Sequence, residues 1–196
     1  MNKRQEQKIA TRARLLDAAR ALFTQHGFLD VTTARIAQEA GVAHGTVFVH
    51  FADKDALVTE VLDAELAQLS EELYAAMAQS GDFCELLDRY LGFLAEREDL
   101  FAALSRELPF YPPELRRKVL FRQAAVQSRF FGALSTAVAE GRARPCDVTS
   151  VVQMVFGTIH YYLALRPVFV EGGGVIEKFR VSLVNTVRCM IEKEDR

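Results

Sequence analysis

Apolar residues return every three or four positions along almost the whole chain, and glycine or proline breaks the rhythm at intervals of one helix length. A convincing period-2 alternation, the mark of a half-buried strand, is nowhere found. The chain is thereby restricted to packed helices. Ile9, Ala13, Leu16, Ala19 and Phe23 mark a first helix that His26-Gly27 ends, since glycine accepts the left-handed stop. Thr32-Thr33 offers hydroxyls to cap a short second helix carrying Ile36, Ala37 and Ala40, which Gly41 ends. A third short helix covers 44–50. Asp53 caps a long fourth with Leu57, Val61, Leu62, Leu66, Leu69 and Leu73. Ser80-Gly81 separates it from a fifth, with Leu86, Leu87, Tyr90, Leu91 and Leu94. A sixth covers 98–107, and Pro109, Pro112 and Pro113 forbid its continuation. A seventh spans 113–140 and stops at Gly141. The eighth spans 147–166, before Pro167. After the loop Gly172-Gly173-Gly174 the ninth spans 175–193. The expected class is all-α, with nine helices and no repeat of fixed period.

Several function classes fall away. Half of the 196 residues are apolar and the net charge is −2, which excludes a disordered chain and a surface basic all over. The polar start, Met1 to Lys8, leads into no long apolar run, so no secretory signal is read and a cytoplasmic protein is expected. Cys84, Cys146 and Cys189 are odd in number and far apart. They are read as buried or idle thiols, with no metal site. Residues 148–165 carry no charge, near the lower limit for a spanning helix. Thr149, Ser150, Gln153, Thr158 and His160 interrupt the run and no basic flank precedes it, so a buried helix is expected and no membrane partner. Catalysis is not expected. The chain has no Gly-rich phosphate loop, G-x-S-x-G or H-E-x-x-H, and His160 has no carboxylate three or four residues away. No cofactor is implied.

Charge is divided unevenly. Residues 1–51 hold seven basic and four acidic groups, a net +3, while the rest of the chain is −5. A basic head on an acidic body points to an anionic partner for the head. The second and third helices, joined by Gly41-Val42-Ala43, fit a helix-turn-helix, whose second helix enters the DNA major groove. Gly41 supplies a positive φ in the turn, and Gly45 removes a side chain where a phosphate or base could approach. Thr46 and His50 lie one turn apart on one face, and Lys54 adds a charge in the first turn of the next helix. His44 can donate to a guanine or accept from a base amide. His26 is read as a helix-end residue.

The run Ile36-Ala37, then Ala40-Gly41-Val42-Ala43-His44-Gly45-Thr46-Val47-Phe48-Val49-His50-Phe51-Ala52-Asp53-Lys54-Asp55-Ala56-Leu57, with Gly27-Phe28 before it, resembles the DNA-binding signature of the TetR family of bacterial transcriptional regulators. The resemblance implies a homodimer, a two-fold symmetric operator in double-stranded DNA, and release by a small ligand. It places Thr32 and Thr33 at cap and phosphate positions. His44, Gly45 and Thr46 fall on the groove-facing stretch, and His50 and Lys54 at phosphate contacts. Three residues depart from the pattern. Ala43 stands where serine is frequent, Phe48 where tyrosine is frequent, and Val49 where a polar residue or aromatic is common. Phe48 can instead touch a thymine methyl. Lys3, Arg4 and Lys8 form either a flexible basic arm or a solvated tail.

A DNA-binding domain over 1–52 and a ligand-binding and dimerisation domain over 53–196 are expected. Val152, Phe156, Ile159 and Leu163 on the eighth helix, with Phe179, Leu183, Val187 and Met190 on the ninth, are read as a self-complementary dimer interface. The alternative is that both stripes face one monomer core. Tyr90, Phe101, Phe110, Tyr111, Phe121 and Tyr161 are read as the wall of a cavity for a small, mostly apolar organic effector, the alternative being solid core. The expected function is a ligand-responsive regulator, a repressor by preference. The competing reading is a helical small-molecule-binding or adaptor protein whose head contacts a protein.

Overall fold

The computed structural model describes residues 2–79 and 81–193. Among them are ten α-helices and no strand: α1 (Lys3–His26), α2 (Thr33–Glu39), α3 (His44–His50), α4 (Lys54–Gln79), α5 (Phe83–Glu96), α6 (Glu98–Glu107), α7 (Pro113–Ala139), α8 (Val148–Ala164), α9 (Arg166–Phe169) and α10 (Val175–Ile191). A 3-10 turn, Leu108–Phe110, lies between α6 and α7. The expectation of nine helices is one short. Pro167 does not merely stop α8; it sits in the first turn of α9, where its missing amide hydrogen costs nothing.

Local chemistry sets most helix ends. The Thr32 hydroxyl accepts from Arg35 N at 3.2 Å, and Asp53 Oδ1 accepts from Ala56 N at 2.8 Å. Asp147 Oδ1 caps α8 through Thr149 N at 3.1 Å. Asn2 caps α1 through Arg4 N, so Lys3, Arg4 and Lys8 belong to the exposed first turns of a helix. The flexible arm is thereby corrected. Ile9 and Ala13 are exposed, and the buried face of α1 is Leu15, Ala18, Ala19, Leu22 and Phe23.

Helices α1 to α3 form the head, with α1 resting on α4 and α6. In the body α4 packs on α5 and α7, α6 on α8, and α10 on α5 and α8. One apolar core runs through both parts. Phe23 stacks on Phe28 at 4.8 Å, and Phe28 meets Tyr111 edge-on at 6.1 Å. Helix α6 also grips its neighbours with buried carboxylates at both ends. Glu98 accepts from the first amides of α10, Val175 N at 2.8 Å and Ile176 N at 2.9 Å. It caps a helix whose N-cap, Gly174, has no side chain to do so. Glu107 Oε2 accepts from Phe28 N at 2.8 Å and Leu29 N at 2.9 Å, in the loop after α1. Glu65 of α4 binds Arg20 of α1 and Arg97, a second tie between head and body.

Gly27 is required on two grounds. Its φ is +79°, and a β-carbon there would collide with Glu107 Oε1. Gly27→Ala should lower stability by about 2 kcal/mol from backbone strain alone. A urea unfolding midpoint equal to that of the unsubstituted protein would remove this account of the joint.

Candidate nucleic-acid interface and effector cavity

Helix α3 buries a single side chain, Val47, against the head. His44, Gly45, Phe48 and Val49 face solvent, with Phe48 51% and Val49 68% exposed. Two exposed apolar side chains on so short a helix make a surface in want of a partner. A β-carbon at Gly45 would meet nothing within 4 Å, and its φ is not in the left-handed region. Neither packing nor backbone conformation demands glycine there.

The turn is built as its residues dictate. Gly41 has φ +65°, and Val42 N bonds back to Ala37 O at 3.0 Å. Ala43, the N-cap of α3, makes no side-chain cap, so the first amides of α3 keep no side-chain partner from that position. Thr33 Oγ1 lies 3.0 Å from His44 Nε2, and the His44 ring meets Phe48 edge-on at 5.3 Å. These contacts orient the two outward rings. Thr32 is exposed, and Thr46 is half-buried.

The basic groups divide into free and engaged. Lys54 Nζ donates to Leu29 O at 2.9 Å, and partial burial lowers its pKa, opposed by Asp55, Glu107 and Asp30. It therefore braces the loop after α1 as well as carrying charge. Arg12 pairs with Glu60 and lies over the Phe51 ring at 4.8 Å. His50 has its pKa lowered by burial and by Lys8 and Arg12, which brings the basic start of α1 beside the end of α3. Its Nδ1 is buried without a protein partner.

The body holds an apolar cavity between α4, α5, α6, α7 and α8. Its buried wall includes Leu62 and Leu69, Tyr90 and Leu94, Phe101 and Leu104, Val119 and Val126, and Phe156, Ile159 and Leu163. The half-buried Leu66 and four half-buried polar residues complete it: Ser105, Arg122, Gln123 and His160. The free volume is small, about 30 Å³, room for one or two waters.

Tyr90 and Phe101 thus line the cavity, and the other four aromatic candidates do not. Tyr111 is buried, but against Phe28 at the joint with the head. Phe110 and Phe121 are 74% and 77% exposed. The inward face of α7 is Val119, Val126 and Phe130, and Phe121 falls opposite. Tyr161 is 54% exposed, on the outer face of α8, where its ring meets Phe169 at 5.4 Å.

The stripe of Val152, Phe156, Ile159 and Leu163 is corrected in the same way. All four are buried in the chain's own core, as is Val187 of α10. Phe179, Leu183 and Met190 are only partly buried. They line an open groove between α8 and α10 with Met154, Thr158, Tyr162, Ser182 and Thr186, and the buried Val187 also borders it. Tyr162 stacks on Phe179 at 4.4 Å, which pins the two helices together along that face. No local pattern in the sequence marks the carboxylates Glu98 and Glu107 or the cavity residues Ser105, Arg122 and Gln123. For His160 the signal was present: it is the one imidazole within the uncharged run 148–165.

Comparison with known proteins decides the family. The model for bacterial regulatory proteins of the tetR family matches residues 15–61, and the model for the tetracyclin repressor-like C-terminal domain matches residues 82–163. The chain belongs to the TetR family. As such it is a transcriptional regulator, not an enzyme. A fatty acid metabolism regulator protein of Bacillus subtilis is 24% identical to this TetR-family chain over 159 residues, 79% of this chain and 82% of that one. The crystal structure of the regulator FadR from Bacillus subtilis in complex with stearoyl-CoA superposes with a TM-score of 0.77 at 22% identity, over 89% of this chain and 96% of that one. A transcriptional regulator from Saccharomonospora viridis in complex with choline gives 0.78 at 19% identity, over 93% and 98%. Among the described residues no helix of this TetR-family protein is long and apolar enough to cross a membrane.

Proposed function

We propose that this TetR-family protein is a homodimeric repressor that reads a two-fold DNA operator with α3 and is released by an effector built on an apolar chain. The observation that supports the DNA reading is the exposure of α3: Val47 is buried in the head, Thr46 and His50 are half-buried, and His44, Gly45, Phe48 and Val49 face outward. The phosphate-facing set is Thr32, Thr33, Thr46, His50 and Lys54, and the groove-facing set is His44, Gly45 and Phe48, with Ala43 at the helix start. The basic first turns of α1 add sequence-independent attraction. DNA binds through residues 1–52, with Lys54 just beyond them, and the effector through 53–196, with the ties of Glu65 and Glu107 crossing that boundary.

The effector class follows from the cavity wall. Leucine, valine, isoleucine and aromatic side chains from five helices enclose it, which suits an acyl chain. The FadR structure of similar fold holds stearoyl-CoA. A choline-like cation, as in the second structure, fits less well, because the wall presents no carboxylate to pair with it. With so little free volume, an acyl chain must part α6 and α7 from α4 to enter. Helix α6 grips the head through Glu107, so an occupied cavity favours a head position different from that of the empty one. The effector thereby shifts the population away from the DNA-competent spacing. Selection of bound duplexes from a random pool, with and without lauroyl-CoA, tests this reading. A two-fold symmetric motif lost on adding the acyl compound is expected. Recovery of no motif in either condition sinks the proposal.

The dimer face is the outer groove of α8 and α10: Met154, Thr158, Tyr162, Phe179, Leu183 and Met190. Leu183→Arg should convert the dimer to monomer in sedimentation velocity, because an unpaired charge in an apolar interface costs several kcal/mol. A Leu183→Arg protein that stays dimeric places the interface elsewhere.

A further inference from the structure

The polar part of the cavity is not scattered. Ser105 of α6, Arg122 and Gln123 of α7, and His160 of α8 are half-buried, with Leu66 of α4 the one apolar lining residue that shares this exposure, while the other eleven apolar and aromatic lining residues are buried. The polar set therefore marks the open end, and the apolar set the blind end.

The three uncharged members are wired together. Gln123 Nε2 lies 3.1 Å from His160 Nε2, and an amide nitrogen can only donate. His160 Nε2 is therefore the acceptor, and its proton sits on Nδ1. That Nδ1 lies 3.3 Å from Ser105 Oγ, which accepts from it. The imidazole is neutral in this arrangement, and burial lowers its pKa in the same sense. Ser105 keeps its hydroxyl hydrogen, and Gln123 its second amide hydrogen, for a further acceptor. Arg122 is already matched. Its Nη2 donates to Asp63 Oδ2 at 2.6 Å and its Nε to Asp63 Oδ1, a bidentate pair. The mouth thus offers hydrogen-bond donors and no net charge.

We infer that the effector's polar end is an uncharged carbonyl, the thioester or ester of the acyl chain, received by Ser105 and Gln123, and that the free carboxylic acid is selected against. This rests on the acyl-chain reading above. A carbonyl oxygen accepts the two unused hydrogens without disturbing the chain of bonds. A carboxylate must displace Asp63 from Arg122, or else loses water with no cation free to compensate. Whatever group the carbonyl is attached to projects from the mouth into solvent, so the site reads the linkage and the chain rather than the carrier.

The test uses the full chain and isothermal titration at neutral pH with four probes: lauroyl-CoA, the lauroyl thioester of N-acetylcysteamine, laurate, and coenzyme A alone. Both thioesters should bind, and laurate about tenfold or more weaker. Gln123→Leu and Ser105→Ala should each weaken the small thioester about three- to tenfold, the effect of one neutral hydrogen bond, and leave laurate unchanged. Unfolding midpoints of both variants verify that they fold. Laurate binding as tightly as the thioesters overturns the inference while the acyl reading stands. So do substitutions that weaken laurate and thioester alike. Binding of none of the three acyl probes overturns the acyl reading, and this inference with it.

Discussion

Glu107→Ala should lower stability by about 3 kcal/mol and break the link between effector and head. Two backbone amides, Phe28 N and Leu29 N, converge on one oxygen of this buried carboxylate. A hydrogen bond to a charged acceptor contributes about 1.5–3 kcal/mol, and removing the acceptor strands both donors in a largely buried joint. Glu107→Gln is the graded control. Its amide oxygen can still accept from both donors, so only the charge assistance is lost, at about 1 kcal/mol. The functional consequence separates this joint from ordinary packing. Helix α6 carries Phe101, Leu104 and Ser105 into the cavity and Glu107 to the head. In Glu107→Ala the effector should bind with unchanged affinity, while the ratio of DNA affinities with and without effector falls towards one. An unaltered ratio in fluorescence anisotropy means that control passes through another contact, with Arg20–Glu65 next in line.

Gly45→Gln should do the opposite: leave the fold intact and abolish its use. A β-carbon there meets nothing within 4 Å, and the position lies inside a helix. Replacing glycine with a good helix former gains about 0.5–1 kcal/mol. If α3 reads DNA as proposed, the same side chain stands where DNA comes closest, and specific affinity should fall about tenfold or more, a change of roughly 1.4 kcal/mol. Loss of affinity accompanied by a lower unfolding midpoint would show that Gly45 serves the fold instead. Unchanged affinity would place the DNA on another face of α3.

The helix ends were readable because local residues determine them. Thr32, Gly41, Asp53 and the prolines after Glu107 act within a few positions of themselves. The exposed helix α3 was readable for the same reason, its turn and outward face being encoded in about fifteen consecutive residues. The facing of α8 was not. Apolar residues surround it, so Val152-Phe156-Ile159-Leu163 and the outer set with Met154 and Tyr162 look alike in sequence, and only the packing of α6 and α7 chooses between them. Nor does an aromatic side chain announce burial. Phe110 and Phe121 face solvent because the turn phase of α7 and the proline-flanked bend place them there. Glu107 reaches amides 79 and 78 residues away in the chain, and Glu98 does the same for α10; no local pattern encodes such contacts.

The central claim is that α3 binds DNA specifically and that a filled cavity prevents it. Fluorescence anisotropy of a selected two-fold duplex, titrated with the protein at rising salt with and without lauroyl-CoA, tests it most directly. The account predicts tight binding that falls log-linearly with salt, by about a thousandfold or more between 50 and 200 mM if six or more phosphates are contacted, and release by the acyl thioester at constant salt. Binding with no preference for the selected duplex over a scrambled one, or binding untouched by an acyl thioester shown to occupy the cavity, would contradict it.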